Sequence, residues 1–363
     1  MTHRFQDLMT EAARLMRSGQ FGEATAAIQH ALGAGPARPE VAGMRVAPAG
    51  PSDDVIDVEA RVADDATTTQ APASGNTARA ARSAHDSFTA GHFRNDAGSR
   101  DYKLFEPARD GKPLPLVVML HGCTQDPDDF ARGTRMNALA REQGFLVLYP
   151  AQSQQGNAQR CWNWFKHNHQ VRGRGEPVIL AGMVRNVIAS HDVDLRRVYV
   201  AGLSAGGAMA AILGDAYPDL FAAVGVHSGL PTGSAIDVQT AFAAMSGGAQ
   251  PARREARHGE TPPTIVFHGD ADSTVNVVNG ERLIEAAGWT AGADVRRASS
   301  AMGVPYSRRT WVDRQGAERA EQWTIHGAGH AWSGGDLLGS YTDPRGPDAS
   351  AEMLRFFLQH PKR

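Results

Sequence analysis

The segment Gly202-Leu203-Ser204-Ala205-Gly206 constrains the fold of this chain more than any other. An apolar run with β-branched residues precedes it, and an alanine-rich run that favours helix follows it (residues 198–201 and 208–213). Glycines two residues either side of a serine permit a sharp turn, because no Cβ atom blocks the approach of the two backbones. The pattern predicts a strand, a serine held out of the sheet and a helix, with Ser204 as nucleophile. A Gly/Ser turn that merely joins two elements is the alternative, and it predicts no partner acid or histidine downstream.

An acidic loop downstream supplies the first candidate partner. Residues 264–267 form an apolar strand-like run that leads into a loop containing Asp270 and Asp272. A serine nucleophile needs a base to take its proton and an acid to orient that base, in the chain order Ser, Asp, His for this type of turn. We predict Asp272 as the acid by its position in the loop, with Asp270 as competitor. We expect His268 to pack beneath the loop.

A glycine-rich loop near the C-terminus supplies the base. Residues 322–326 alternate as a strand does and lead into small residues around His330. We predict His330 as the base and keep His326 as competitor, since a histidine at a strand end is commonly satisfied by backbone groups. Trp332 lies two residues beyond His330 and is predicted to contact substrate, with loop packing as the alternative.

Two backbone N–H groups are also required, because negative charge develops on the carbonyl oxygen as a tetrahedral intermediate forms. One is the N–H of the residue after the nucleophile, Ala205. The other comes from a loop after an earlier strand, here the apolar run of residues 116–120. We expect that second donor to be the amide of Cys123.

Five motifs together carry a family resemblance. They are, in chain order, LHGCTQ, RCWNWF, GLSAGGAMA, FHGDADSTV and GAGHAWSGG. Over about residues 85–360 the chain resembles the catalytic domain of the polyhydroxybutyrate depolymerase family of esterases. The resemblance implies an α/β-hydrolase fold and a serine esterase related to feruloyl and acetylxylan esterases. It implies Ser204 as nucleophile, Asp272 as orienting acid, His330 as base, and Cys123 and Ala205 as oxyanion donors.

The two cysteines of the chain, Cys123 and Cys161, both fall near the predicted site. The resemblance implies that they form a disulfide that braces the oxyanion loop. A reducing cytosol would instead keep them as two buried thiols.

The resemblance also guides the expected substrates. We expect short-chain hydroxyalkanoate esters or oligomers, and no cofactor. Attack on crystalline polymer is not expected, since no linker or polymer-binding domain follows the last predicted helix (residues 351–358). The alternatives are a feruloyl or acetylxylan-type carbohydrate esterase and, in another class, a non-catalytic hydrolase-fold binding protein.

Three regions differ in pattern along the chain. Residues 1–32 show apolar positions at helical spacing and predict a helical hairpin, which would dock on the body, a partner or a granule surface. Residues 33–85 are rich in Ala, Pro, Asp, Thr and Gly and predict a flexible linker. Residues 86–363 predict the catalytic domain.

The catalytic region alternates strands with helices and predicts a doubly wound, mostly parallel sheet. A β-hairpin is expected to open it, with strands at residues 87–93 and 100–106. The further predicted strands are residues 116–120, 145–149, 198–201, 222–227, 264–267 and 322–326, and the helices include residues 136–143 and 181–190.

Composition excludes several classes of function. The formal net charge of −2 and the sequence pI of about 6.7 give no electrostatic reason to expect a nucleic-acid partner. No apolar stretch approaches the roughly 20 residues that span a bilayer. Charged residues interrupt residues 1–29, so a secretory signal is not expected; the prediction is a cytoplasmic protein, with extracellular as the alternative. His167 and His169 lack further metal-binding motifs, and no metal site is predicted.

Overall fold

A computed structural model describes residues 85–108, 111–247, 261–286 and 289–362. The predicted helical hairpin (residues 1–32) and nearly all of the predicted linker (residues 33–85) lie outside the described residues. The division of the chain into these regions therefore stays a prediction.

The described chain alternates strands and helices over most of its length. The strands are β1 (Ser87–Asn95), β2 (Gly98–Glu106), β3 (Leu114–Leu120), β4 (Leu146–Pro150), β5 (Val193–Leu203), β6 (Ala223–His227), β7 (Thr264–Gly269), β8 (Thr290–Ser299), β9 (Pro305–Val312), β10 (Glu318–Ile325), β11 (Trp332–Ser333) and β12 (Thr342–Asp343). The helices are α1 (Pro127–Thr134), α2 (Met136–Gln143), α3 (Gly175–Ser190), α4 (Ala205–Ala216), α5 (Val238–Met245), α6 (Val278–Glu285) and α7 (Ala349–Gln359), with a 3₁₀ turn at His167–His169. None of these described helices has the length and apolar character needed to cross a membrane.

Ten strands form one twisted sheet in the order β1-β2-β4-β3-β5-β6-β7-β10-β9-β8. The six central strands, from β4 to β10 in that order, are parallel to one another. The hairpins β1–β2 and β8–β9 add antiparallel strands at the two edges. This is the α/β-hydrolase architecture, so the predicted fold class is confirmed, as are the six predicted central strands and the opening hairpin.

Two apolar cores cover the two faces of the sheet. Along β3, Leu116, Val118 and Leu120 belong to one core, whereas Val117 and Met119 belong to the other. All five side chains are fully buried. Alternate residues of a strand point to opposite faces, so a strand covered by helices on both faces must be apolar at every position. This requirement explains why the central strands are continuous apolar runs.

Helices on each face complete these cores. Buried residues of α3 and α4 pack in the core that contains Val118, and buried residues of α1, α2 and α7 pack in the core that contains Val117. Because the connections between parallel strands pass over the faces, the loops that follow the central strands all emerge at one edge of the sheet.

The main differences from the sequence-based expectations lie in polar segments. The hairpin β8–β9 was not predicted, because its strands carry Arg-Arg pairs at residues 296–297 and 308–309 rather than an apolar run. Pairing with β10 stabilises β9 instead, helped by the ion pair between Arg308 and the buried carboxylate of Glu321 (2.7 Å). Helix α3 begins six residues before the predicted start at residue 181, at Gly175.

Candidate active site

Ser204 occupies the turn between β5 and α4, as the glycine pattern predicts. Its backbone angles, φ 57° and ψ −119°, lie in a region that residues with side chains seldom adopt. A Cβ atom at Gly206 would lie 2.0 Å from the carbonyl oxygen of Leu120, and a Cβ atom at Gly202 would lie 2.4 Å from the Gly206 backbone. Glycine at both positions therefore allows the start of α4 to pack directly on β5 and β3.

Residues near the carboxyl ends of four adjacent parallel strands lie in register beside Ser204. Leu203 at the end of β5 pairs with His227 of β6, His227 pairs with Phe267 of β7, and Phe267 pairs with Trp323 of β10. The loops that carry the predicted acid and base follow β7 and β10. The topology thus brings the three predicted catalytic segments to one edge of the sheet.

Asp272 lies in the loop after β7 and its side chain is fully buried. One carboxylate oxygen accepts hydrogen bonds from the N–H groups of Thr274 (2.8 Å) and Val275 (2.9 Å). The other accepts from Nδ1 of His330 (2.7 Å) and lies 3.5 Å from Nε2 of His268. Burial opposes ionisation of this carboxyl group, but the interactions with His268 and His330 outweigh it and hold the pKa of Asp272 well below its usual value.

His330 lies in the loop after β10, and its side chain is mostly buried. This loop packs against the end of β7, where a Cβ atom at Gly269 would lie 2.2 Å from the carbonyl oxygen of Ala328. An ionised carboxylate can only accept hydrogen bonds, so Nδ1 of His330 donates to Asp272. In the neutral ring the proton is then on Nδ1, and Nε2 carries the free lone pair that a general base needs.

The competing residues form a separate pair. His326 contacts Asp270 through Nδ1 (2.8 Å) and Ser307 through Nε2 (2.8 Å), and the carboxylate of Asp270 also accepts from the N–H of Gly327. Both side chains of this pair are more than a third exposed. Because both ring nitrogens of His326 are already bonded, this geometry favours His330 as the base. His268 packs beneath the acidic loop as expected, with Nε2 donating to the carbonyl of Val275 (2.8 Å).

Among the described residues, no hydrogen bond joins the hydroxyl of Ser204 to the ring of His330. Serine–histidine hydrogen bonds are often long before substrate binds and shorten in the substrate complex. The backbone N–H of Ser204 is fixed by a hydrogen bond to the carbonyl of His227 (2.9 Å). Ser204, Asp272 and His330 thus lie on loops at the same edge of the sheet, and the acid and base are already in contact.

The loop after β3 lies against the nucleophile. A Cβ atom at Gly122 would lie 3.7 Å from the Cβ atom of Ser204. The carbonyl of Gly122 accepts from Nδ1 of His121 (2.7 Å). In a trans peptide the C=O and N–H groups point in opposite directions, so this bond helps to orient the N–H of Cys123. Among the described residues, neither the N–H of Cys123 nor that of Ala205 donates a hydrogen bond, which leaves both amides free for an oxyanion.

Buried polar residues that the sequence reasoning missed support this loop. Nε2 of His121 accepts from the backbone N–H of Gln152 (3.1 Å), and the Gln152 side chain donates to the carbonyl of Cys161 (3.0 Å) and to the carboxylate of Glu176. Burial lowers the pKa of His121 to about 4, so the ring is neutral near pH 7. No local sequence motif identifies Gln152 or Glu176. Their role in supporting the loop becomes visible only in the fold, where the segments that carry His121, Gln152, Cys161 and Glu176 meet.

A disulfide joins Cys123 to Cys161, as the family resemblance implies. The disulfide links the loop that carries Cys123 to the segment around Cys161, whose carbonyl accepts the hydrogen bond from Gln152. Trp162 lies beside this disulfide in the chain and is fully buried, with its indole N–H donating to the carbonyl of His121 (3.1 Å). The loop that carries Cys123 is therefore fixed both by a covalent bond and by hydrogen bonds.

The structure does not support the predicted substrate contact of Trp332. Its side chain is only 1% exposed, and its indole N–H donates to the hydroxyl of Ser350 (3.0 Å). The ring stacks on His227 at 5.2 Å and meets Phe130 edge-on at 5.5 Å. A ring enclosed by the core presents no face to a ligand. Trp332 therefore packs the region beneath the base loop.

Comparison with known proteins shows the family to which the chain belongs. The family model described as Esterase PHB depolymerase matches residues 101–302. A poly(3-hydroxyalkanoate) depolymerase C from Paucimonas lemoignei is 33% identical over 240 residues, which are 63% of this chain and 58% of that protein. A feruloyl esterase B from Thermothelomyces thermophilus is 28% identical over 53% of this chain and 69% of its own length. The match thus spans little more than half of the depolymerase.

A solved structure shows the same fold. An acetyl xylan esterase from Aspergillus awamori superimposes with a TM-score of 0.58 at 19% sequence identity, covering 74% of this chain and 98% of its own. At this level of identity the likeness concerns the fold alone.

Replacing both cysteines by alanine tests the disulfide. The bond closes a loop with a sequence separation of 38 residues. Loss of that cross-link should lower the free energy of unfolding by roughly 3–4 kcal/mol in the loop-entropy model, measured by denaturant titration. A reducing agent should destabilise the wild-type protein similarly and leave the double variant unchanged. Equal stability of the wild-type protein and the double variant under oxidising conditions would contradict the bond.

Proposed function

Because this chain belongs to the PHB depolymerase family of esterases, we propose that it is a serine carboxylic-ester hydrolase that acts through an acyl-enzyme on Ser204. The observation that carries the proposal is the partly buried hydrogen bond of 2.7 Å between Asp272 and His330 at the sheet edge where Ser204 lies. That bond gives the imidazole the tautomer and orientation that a general base for a serine requires.

The proposed reaction has two halves. In acylation, Nε2 of His330 takes the proton of Ser204, whose oxygen attacks the ester carbonyl carbon. The N–H groups of Cys123 and Ala205 stabilise the negative oxygen of the tetrahedral intermediate, and each such donor is typically worth about 10²–10³ in rate. His330 then protonates the leaving alcohol. In deacylation, water replaces the alcohol, and the same groups release the carboxylic acid.

Hydroxyalkanoate esters or oligomers are the favoured substrates. The depolymerase from Paucimonas lemoignei supports this class, at 33% identity. The feruloyl esterase relative supports the alternative of a carbohydrate esterase. The disulfide supports action in an oxidising compartment, which favours the extracellular alternative over the cytoplasmic expectation. A docking role for residues 1–32 stays a prediction outside the described residues.

Changing Ser204→Ala tests the nucleophile. Hydrolysis of p-nitrophenyl butyrate should fall by about 10⁴-fold or more, because the group that forms the acyl-enzyme is removed. Labelling by a fluorophosphonate probe, measured by mass spectrometry, should also be absent in Ser204→Ala. The control is Ser190→Ala at the end of α3, whose hydroxyl donates to the carbonyl of Asn186 (2.8 Å). This control should keep wild-type labelling, and a labelled Ser204→Ala protein would show that the nucleophile is another residue.

A substrate panel tests the ester class. We expect kcat/KM for linear 3-hydroxybutyrate oligomers to exceed that for feruloylated sugars and acetylated xylan by about tenfold or more, a difference of about 1.4 kcal/mol in transition-state binding. Product release would be followed by chromatography, with the Ser204→Ala protein as blank. A preference for feruloylated or acetylated sugars would favour the carbohydrate esterase. A folded wild-type protein that neither turns over any ester nor reacts with the probe would favour the non-catalytic binding protein.

A further inference from the structure

His227 lies at the carboxyl end of β6, between the nucleophile and the base loop. The residue is fully buried. Its backbone carbonyl accepts the hydrogen bond from the N–H of Ser204 (2.9 Å). Its ring accepts a hydrogen bond at Nε2 from the N–H of Ser333 (3.0 Å), three residues after His330. One residue therefore holds the nucleophile through its main chain and the base loop through its side chain.

The hydrogen bonds of His227 determine its tautomer. A backbone N–H can only donate, so Nε2 of His227 must be unprotonated to accept from Ser333. The neutral ring then carries its proton on Nδ1, which lies 3.1 Å from the hydroxyl oxygen of Ser228. Burial is the main cause that lowers the pKa of His227 to about 3. The ring is therefore a neutral acceptor throughout the pH range in which a serine esterase works.

Stacking determines the orientation of the ring. His227 lies between Phe267, at 5.9 Å and 14° between planes, and Trp332, at 5.2 Å and 26°. Trp332 precedes Ser333 in β11, and the backbone N–H of Trp332 donates to the carbonyl of Tyr341 (2.6 Å). The ring cannot turn without displacing these neighbours. Its bond to Ser333 is therefore a rigid link between the end of β6 and the segment that carries His330.

We propose that His227 is a positioning residue that holds His330 at the distance from Ser204 required for proton transfer. The proposal rests on the proposed function, because it assigns His330 the role of base. A displacement of about 1 Å in reacting groups can lower a rate by about 100-fold. Loss of the acceptor at Nε2 leaves the buried N–H of Ser333 unpaired, and the base loop must move to satisfy it.

The test compares His227→Phe with His227→Gln. Phenylalanine keeps a stacked ring but has no acceptor, whereas the side-chain oxygen of glutamine can reach the position of Nε2. With p-nitrophenyl butyrate, His227→Phe should lower kcat by about 10–100-fold with KM within about twofold. His227→Gln should restore most of the loss. The rates are expressed per active site titrated with a fluorophosphonate, so that misfolded protein is not counted.

A matched core variant separates positioning from general destabilisation. Phe357 of α7 is fully buried and stacks on Tyr199 at 4.9 Å. Tyr199 precedes Ser204 by five residues, roughly 16 Å along the strand. Phe357→Leu should therefore lower the melting temperature without changing kcat per titrated site. The low-field proton signal of the hydrogen bond between His330 and Asp272 should broaden in His227→Phe and persist in Phe357→Leu.

Each outcome decides the proposal. Wild-type kcat per titrated site in His227→Phe overturns it, as does an equal loss of kcat in Phe357→Leu. If His227→Phe does not fold, His227→Leu provides the decision, because leucine also lacks an acceptor at the position of Nε2 and is smaller than phenylalanine. A lowered kcat per titrated site in folded His227→Leu supports the proposal, and an unchanged kcat overturns it. If the wild-type protein shows neither turnover nor labelling, that result contradicts the proposed function, and the positioning role of His227 is overturned with it.

Discussion

The contact between Gly206 and the carbonyl of Leu120 is the constraint on which the site depends. A side chain at residue 206 would lie 2.0 Å from that oxygen, so the start of α4 can meet the end of β3 only through a glycine. This contact brings the first N–H of the helix, on Ala205, beside the loop that carries Cys123. The partial positive charge of a helix N-terminus then adds to the two amides at the point where an oxyanion would form.

Hydrogen bonds to buried groups maintain the rest of the arrangement. An ionised carboxylate is costly to bury unless donors surround it, and Asp272 accepts from two backbone amides and from His330, with the ring of His268 3.5 Å away. The nearby pair of Asp270 and His326 has a similar geometry at the surface, but its histidine has no free nitrogen. The two pairs thus differ chemically at Nε2 of the histidine, which is bonded to Ser307 in His326 and carries the free lone pair in His330.

Much of the fold could be predicted from the sequence because parallel strands that are buried on both faces must be continuous apolar runs. This rule identified the six central strands and the loops that follow them. It could not identify the polar strands β8 and β9. Strand β9 is stabilised by pairing with β10 and by the ion pair between Arg308 and Glu321, and β8 pairs with β9 at the edge of the sheet.

The site divides in a similar way between local and long-range features. Ser204 has a local signature, since the glycines that flank it are a steric requirement of the turn. Position in a loop favoured Asp272 and His330, but only the three-dimensional contacts distinguish them from their competitors. The burial of Trp332 and the hydrogen bond from Ser333 to His227 depend on packing between segments about 100 residues apart, which no local sequence pattern indicates.

The crystal structure of the protein after reaction with a fluorophosphonate would test the central claim most directly. The probe leaves a tetrahedral phosphorus on the nucleophile and so mimics the intermediate of ester hydrolysis. We predict a covalent bond to Ser204 and a phosphonyl oxygen about 2.7–3.1 Å from the amide nitrogens of both Cys123 and Ala205. The ring of His330 should lie within hydrogen-bond distance of the adduct and keep its contact with Asp272. Attachment to another side chain, or an oxygen that meets neither amide, would contradict this assignment.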